Sequence, residues 1–246
     1  MCVLLCSFFI NLEITNALNV SNCHGVMARL FNNSYEDGDV ILTNDINEND
    51  GSYCEDYENG GFYQINFREN QERTIDLNGY TLNLKHRFEI YADEGTVLNI
   101  IDSSEEKTGK LIIPSIDLFP CDSESCYNVE INIDGGNYIA DTLIKTYDAE
   151  YIQTFNFSNA RFKGNTFANG SFDKVNIKNA IIEPKTDNIT FMYNEYDFSL
   201  NEVIEKNYKV LNSGKEVELS KSISELASKD NIYVVKDNKY IYNRFQ

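Results

Sequence analysis

An apolar residue, an asparagine and a second apolar residue recur as a unit at six places along the chain. They are Ile65-Asn66-Phe67, Leu82-Asn83-Leu84, Leu98-Asn99-Ile100, Ile131-Asn132-Ile133, Phe155-Asn156-Phe157 and Val175-Asn176-Ile177. Alternation at a period of two marks a strand with one buried face. The units start 17, 16, 33, 24 and 20 residues apart, and strands that return at such a spacing predict a coil stacked on itself. The widest gap holds Pro114, Pro120, Cys121 and Cys126 and reads as a rung with an inserted loop. The last two units agree beyond the triplet: Phe155 to Ala160 aligns with Val175 to Ala180, and Ile131 to Gly136 fits the same frame. Asparagine and glycine tolerate the left-handed backbone that a coil corner needs. Asparagine fills about one position in eight, so some triplets arise by chance, and a β-sandwich of meander strands is the competing reading. The six-residue match favours the coil.

The flanks read differently. Residues 18–38 form an entry segment in which Val26 to Phe31 predicts a helical turn or two over the end of the coil. Val40 to Thr43 is the first strand, and 44–61 is a long polar loop. Asn78-Gly79 and Asp134-Gly135-Gly136 predict turns. The periodicity changes near residue 198. Leu200 to Tyr208 predicts a short helix, and Ser222 to Ala227 a helical turn with a serine cap. Ile232 to Val235 and Tyr240 to Tyr242 predict a hairpin. Residues 18–198 are thus the coil and 199–246 a C-terminal cap, which a solenoid needs to cover its open end.

The N-terminus carries an apolar run from Val3 to Ile10, followed by Thr15-Asn16-Ala17. That resembles a secretory signal peptide over residues 1–17, although the usual basic segment is missing. The alternative is a short buried strand or helix. Removing 1–17 leaves four cysteines, Cys23, Cys54, Cys121 and Cys126. Disulfides suit a secreted chain, with Cys23–Cys54 and Cys121–Cys126 favoured by proximity; free thiols are the alternative. The chain has no run of 18 apolar residues and so no membrane span. Its formal net charge of -18 opposes binding to nucleic acid.

Thr74 to Leu82, and Val97 to Ser104 with Lys107 to Ile112, resemble phrases of bacterial surface proteins with the pectate-lyase-like right-handed parallel β-helix fold. The resemblance covers about residues 70–180. It implies that fold and an extracellular or cell-surface setting, and it does not imply an enzyme. Hydrolase relatives carry Gly-His-Gly and Arg-x-Lys; only Arg161-Phe162-Lys163 is present here, with no Gly-His-Gly and no Asp-Asp pair.

Two sets of candidate binding residues remain. Asp45, Asn47 and Asn49 alternate as calcium ligands do, but Gly51 falls one place late, so a plain polar loop competes with calcium. No other cofactor is implied. Tyr127, Tyr138, Tyr147 and Tyr151 offer a face for stacking sugar rings, against their simpler role as strand formers. The expected protein is an all-β, right-handed parallel β-helix with a small C-terminal cap containing a hairpin. It is secreted or surface-exposed, without catalytic residues of its own, and serves in adhesion, surface structure or glycan binding, with carbohydrate or a surface protein as partner. The alternative is a calcium-dependent polysaccharide lyase or other carbohydrate-active enzyme.

Overall fold

The computed structural model describes residues 17–31, 38–48, 61–120, 128–147, 152–186, 188–193, 200–219, 221–226, 231–236 and 239–244. Residues 1–16, Asn49, Cys54, Cys121, Cys126, Tyr127 and Tyr151 lie outside them.

Three eight-stranded sheets run along the molecule. The first holds Leu18–Val20, Val40–Leu42, Glu72–Asp76, Val97–Ile101, Val129–Asp134, Ile152–Ser158, Phe172–Lys178 and Leu200–Lys206. The second holds Ile46–Asn47, Thr81–Asn83, Lys110–Ile112, Asn137–Ile139, Arg161–Gly164, Ile181–Pro184, Lys209–Asn212 and Lys215–Glu216. The third holds Phe62–Asn66, Arg87–Ala92, Ile116–Pro120, Thr142–Thr146, Thr166–Asn169, Asn188–Tyr193, Asn231–Lys236 and Lys239–Arg244. From Val40 to Asn212 the chain visits first, second and third sheet in turn, and within this stretch each strand pairs in parallel with its counterpart one turn away. The result is a parallel β-helix of about six turns. The rule for parallel crossovers gives it a right-handed winding.

The repeat is longer than the spacing of the triplets. Only four of the six triplets stack on one another: Asn99, Asn132, Asn156 and Asn176 are register partners on the first sheet. Asn66 lies on the third sheet and Asn83 on the second. The pattern apolar–polar–apolar reports a one-sided strand and is silent on which sheet the strand joins, so steps of 16 and 17 residues move between sheets rather than between turns.

Inward residues form continuous columns. On the second sheet Leu82, Leu111, Tyr138, Phe162 and Ile182 follow one another in register, all buried. On the first, Ile75, Ile100, Ile133, Phe157 and Ile177 do the same. Phe167 closes the aromatic part of the core, 5.1 Å from Phe157, 5.5 Å from Phe155 and 5.7 Å from Phe162. Each such ring buries a large apolar area in a shape its neighbours fix.

Polar ladders hold the turns in register from outside. Asn132 Nδ2 donates to Asn99 Oδ1 at 2.9 Å, Asn156 to Asn132 at 2.6 Å and Asn176 to Asn156 at 2.5 Å. A second ladder marks the corner after the first sheet, where Asn159, Asn179 and Asn207 have φ of 50°, 49° and 53°. Their amides bond along the column, Asn179 to Asn159 at 3.0 Å and Asn207 to Asn179 at 3.3 Å. The expected left-handed corners are therefore present, and the amide side chains also bridge the rungs. The Asp102 carboxylate, fully buried, accepts from the backbone of Gly79 at 2.8 Å and of Gly109 at 2.6 Å, and from Ser104 Oγ at 2.7 Å.

Both ends are covered. The N-terminal helix α1 (Cys23–Phe31) buries Val26, Met27 and Leu30. Arg73, an inward residue 2% exposed, donates from Nη1 to Leu30 O at 2.6 Å and so satisfies a carbonyl at the helix C-terminus. At the other end Leu200–Lys206 is a strand, not the helix expected from its composition. It pairs in parallel with Phe172–Lys178, with Val203 opposite Val175: the open edge of the preceding rung overrides local propensity. Parallel stacking continues past residue 198 to Lys209 and Val210. The serine cap is present, with Glu225 N donating to Ser222 Oγ at 3.3 Å and Ser222 N to Glu225 Oε2 at 3.0 Å at the short helix α2 (Ile223–Leu226). The hairpin Asn231–Lys236 and Lys239–Arg244 adds antiparallel strands to the third sheet.

Candidate functional site

Outward positions of the third sheet gather chemistry that the fold does not need for its core. Alternation turns Glu89 and Tyr91, then Asp117 and Phe119, then Lys145 and Tyr147 outward on three successive turns, and the register stacks Glu89 with Asp117, Asp117 with Lys145 and Tyr91 with Phe119. Arg87 ties the carboxylates together. Its Nε donates to Glu89 Oε1 at 3.0 Å and lies 3.2 Å from Asp117 Oδ2, and its Nη2 also bonds Glu89. Tyr91 donates its hydroxyl to Glu89 at 3.3 Å, and Tyr147 donates to Asp117 at 3.0 Å. Glu89 and Asp117 are 4% and 2% exposed, while Tyr147 is 41% exposed.

Charge follows this geometry. Burial raises the Tyr147 phenol, Lys145 opposes that, and the neighbouring Asp117 charge adds to the rise. Burial alone would lower the Arg87 guanidinium, but the hydrogen bond and charge of Glu89, with Asp117, hold it above its ordinary value.

The rings form a stack running along the coil. Tyr91 and Phe119 lie 5.2 Å apart at 15°, and Phe119 and Tyr147 lie 4.3 Å apart at 12°. Lys145 Nζ sits 4.3 Å from the Tyr147 centroid. The exposed Tyr147 ring thus has an aromatic neighbour in Phe119 and a cationic one in Lys145.

The sequence-derived tyrosines do not form one face. Tyr147 is on the third sheet as described. Tyr138 is 1% exposed in the inward column of the second sheet, and its hydroxyl donates to Ile100 O at 3.1 Å. Its place in an alternating strand with Asn137 and Ile139 outward sends the ring into the core. Tyr127 and Tyr151 lie outside the described residues. Of the calcium loop, Asp45 Oδ1 accepts from Thr81 N at 2.7 Å and Asn47 Oδ1 from Asn83 Nδ2 at 3.3 Å, both contacts tying strands of the second sheet; Asn49 lies outside. Among the described residues no group of three His, Cys, Asp or Glu side chains is arranged to hold a metal. Cys23 is buried, and the other five cysteines lie outside the described residues. Arg161 and Lys163 are outward on the second sheet and share Glu183, the latter at 3.4 Å.

Arg87, Glu89, Tyr91, Asp117 and Phe119 escape motif reading. A signal for them exists: a charged residue two places before an aromatic one occurs at Glu89-x-Tyr91, Asp117-x-Phe119 and Lys145-x-Tyr147, at successive intervals of 28 residues. Among the described residues no helix is long and apolar enough to cross a membrane. Comparison with protein-family models, with curated proteins and with solved structures returns no match for this chain.

Proposed function

We propose that the chain is a secreted or surface-exposed β-helix protein that acts by binding rather than by catalysis, in adhesion, surface structure or glycan recognition. The observation that carries this reading is the bonding of the third-sheet face. General acid–base catalysis needs a carboxyl group that exchanges a proton with substrate. Here the two carboxylates accept from one shared guanidinium and from two tyrosine hydroxyls. They brace an ordered surface that repeats turn after turn, which suits a partner contacting several rungs at once. The leader-like segment at residues 1–17 and the resemblance to pectate-lyase-like surface proteins support a place outside the cell.

A glycan-array screen of the chain, with and without calcium, tests the reading, followed by an absorbance assay for unsaturated sugar product on any hit. Binding without turnover is expected. Calcium-dependent binding with product that disappears in Asp117→Asn would replace this reading with that of a lyase.

A further inference from the structure

The second sheet presents a face of opposite sign to the rest of the chain. Its parallel-stacked strands hold four cations, Lys110, Arg161, Lys163 and Lys209, against one carboxylate, Glu183, a net of +3. The corresponding strands of the first sheet carry four cations against seven carboxylates, and those of the third carry two against two. The whole chain has a net charge of -18, so this face is a local exception.

The cations are also ordered. Lys110, Asn137, Arg161, Ile181 and Lys209 follow one another in register along one outward column. Their neighbours Leu111, Tyr138, Phe162, Ile182 and Val210 point inward and are buried. Positive charge therefore falls on every second rung, a separation of about 10 Å at the usual spacing of paired strands. The neutral steps between are Asn137 and Ile181, and half-exposed Ile112 and Ile139 lie beside the column. Arg161 and Lys209 have side chains 40% and 58% exposed in their pairs with Glu183 and Glu216. The Lys209–Glu216 pair is exposed on both sides, is worth little and exchanges readily for another anion, whereas Arg161 keeps its bond to the buried Glu183 and offers a ligand the exposed part of its guanidinium. Lys110 is exposed and makes no salt bridge with a described residue.

We infer that this face binds a linear acidic glycan bearing one carboxylate on every second sugar, laid along the coil with its carboxylates on Lys110, Arg161 and Lys209. An extended glycan advances by about this two-rung distance over two sugars, and its C–H faces rest on the isoleucine steps. A glycan charged on every sugar gains less, because alternate carboxylates face Asn137 and Ile181. The inference rests on the binding reading above and narrows it to one face and one charge pattern.

The test compares hyaluronan octasaccharide, with a carboxylate on every second sugar, against an oligogalacturonate of equal length. Titration calorimetry uses the full chain and the K110Q/K209Q variant, with circular dichroism as a check on folding. Both side chains are exposed, so the variant retains its fold. Expected are at least tenfold tighter binding of hyaluronan, weakening with added salt, and at least a tenfold loss in K110Q/K209Q. No hyaluronan binding, equal or tighter galacturonate binding, or binding untouched by the substitutions overturns the inference. An array hit on another glycan that K110Q/K209Q leaves unchanged overturns it while the broader reading stands; no glycan hit on any array removes the glycan arm of both.

Discussion

Replacing Asn156 by aspartate tests whether the amide ladder of the first sheet stabilises the coil. The change preserves shape, removes the two donors of the side chain and adds a negative charge. Asn156 Nδ2 donates to Asn132 Oδ1 at 2.6 Å and to Glu130 Oε1 at 3.0 Å, and its Oδ1 accepts from Asn176 at 2.5 Å. The aspartate keeps the acceptor and loses both donated bonds. One is neutral, worth about 1 kcal/mol, and one ends on a carboxylate, worth about 1.5–3 kcal/mol. Half-burial trims the second, and repulsion between the introduced carboxylate and Glu130 restores part of it, so the expected loss is about 2–3 kcal/mol. With a urea m-value of about 3 kcal/mol/M, the unfolding midpoint falls by roughly 1 M. Asn212→Asp adds the same charge where the side-chain oxygen only accepts, from Ser213 at 3.3 Å, and serves as the control. Acidification returns a proton to the introduced carboxylate, and with it a donor, so the deficit of N156D shrinks as pH falls. A midpoint within a few tenths of a molar of N212D, or a deficit that ignores pH, refutes the argument.

Gly170 has φ of 133°, and a Cβ there would lie 1.9 Å from Thr146 Oγ1; G170A is expected to cost about 2–4 kcal/mol and to lower Tm by roughly 5–15 °C, read by differential scanning fluorimetry. Burial alone would raise the Glu183 carboxyl, but its hydrogen bond to Arg161 and the charges of Arg161 and Lys163 outweigh this and hold it below its ordinary value of 4.5. A lowered carboxylate stabilises the fold fully above that value and loses the contribution as pH falls from it through the lowered one, so Tm between about pH 6 and 3 should fall less steeply in E183Q than in the parent. Burial, with the charge and hydrogen bond of Glu205, pushes the Tyr208 phenol up to about 12 from 10.0; the difference between alkaline absorbance titrations of the parent and Y208F should show a phenolate midpoint near that value, and a midpoint at the ordinary one refutes it. Arg73→Met leaves the Leu30 carbonyl at the end of α1 without the 2.6 Å bond it accepts, and hydrogen exchange at residues 23–31 should quicken more than in the coil interior.

The coil is legible in the sequence because one-sided strands obey a period of two whatever they pair with. The left-handed corners are legible because few residues other than Asn and Gly tolerate them. The assignment of strands to sheets is not legible, since Leu82-Asn83-Leu84 and Leu98-Asn99-Ile100 look alike and belong to different faces. The helix expected at Leu200 to Tyr208 does not form because the edge of Phe172–Lys178 supplies hydrogen-bond partners that a local reading cannot see. The surface position expected for Tyr138 fails for a similar reason, because tyrosine suits a strand on either side. Only its register against Leu111 and Phe162 turns it inward.

Function on such a coil is written across turns rather than within a segment. Arg161-x-Lys163, read along the chain, is a short motif of little specificity; read across the sheet, Arg161 is the middle of a column with Lys110 and Lys209. Glu89-x-Tyr91 means little alone, yet with Asp117-x-Phe119 and Lys145-x-Tyr147 it builds a bonded face. Because the rung spacing is fixed by backbone hydrogen bonds, a substitution in one turn changes the charge or ring presented at one fixed step and leaves the others in place. Binding to a repeating partner should therefore fall stepwise as cations are removed from the column, whereas a compact catalytic site would be abolished by one change.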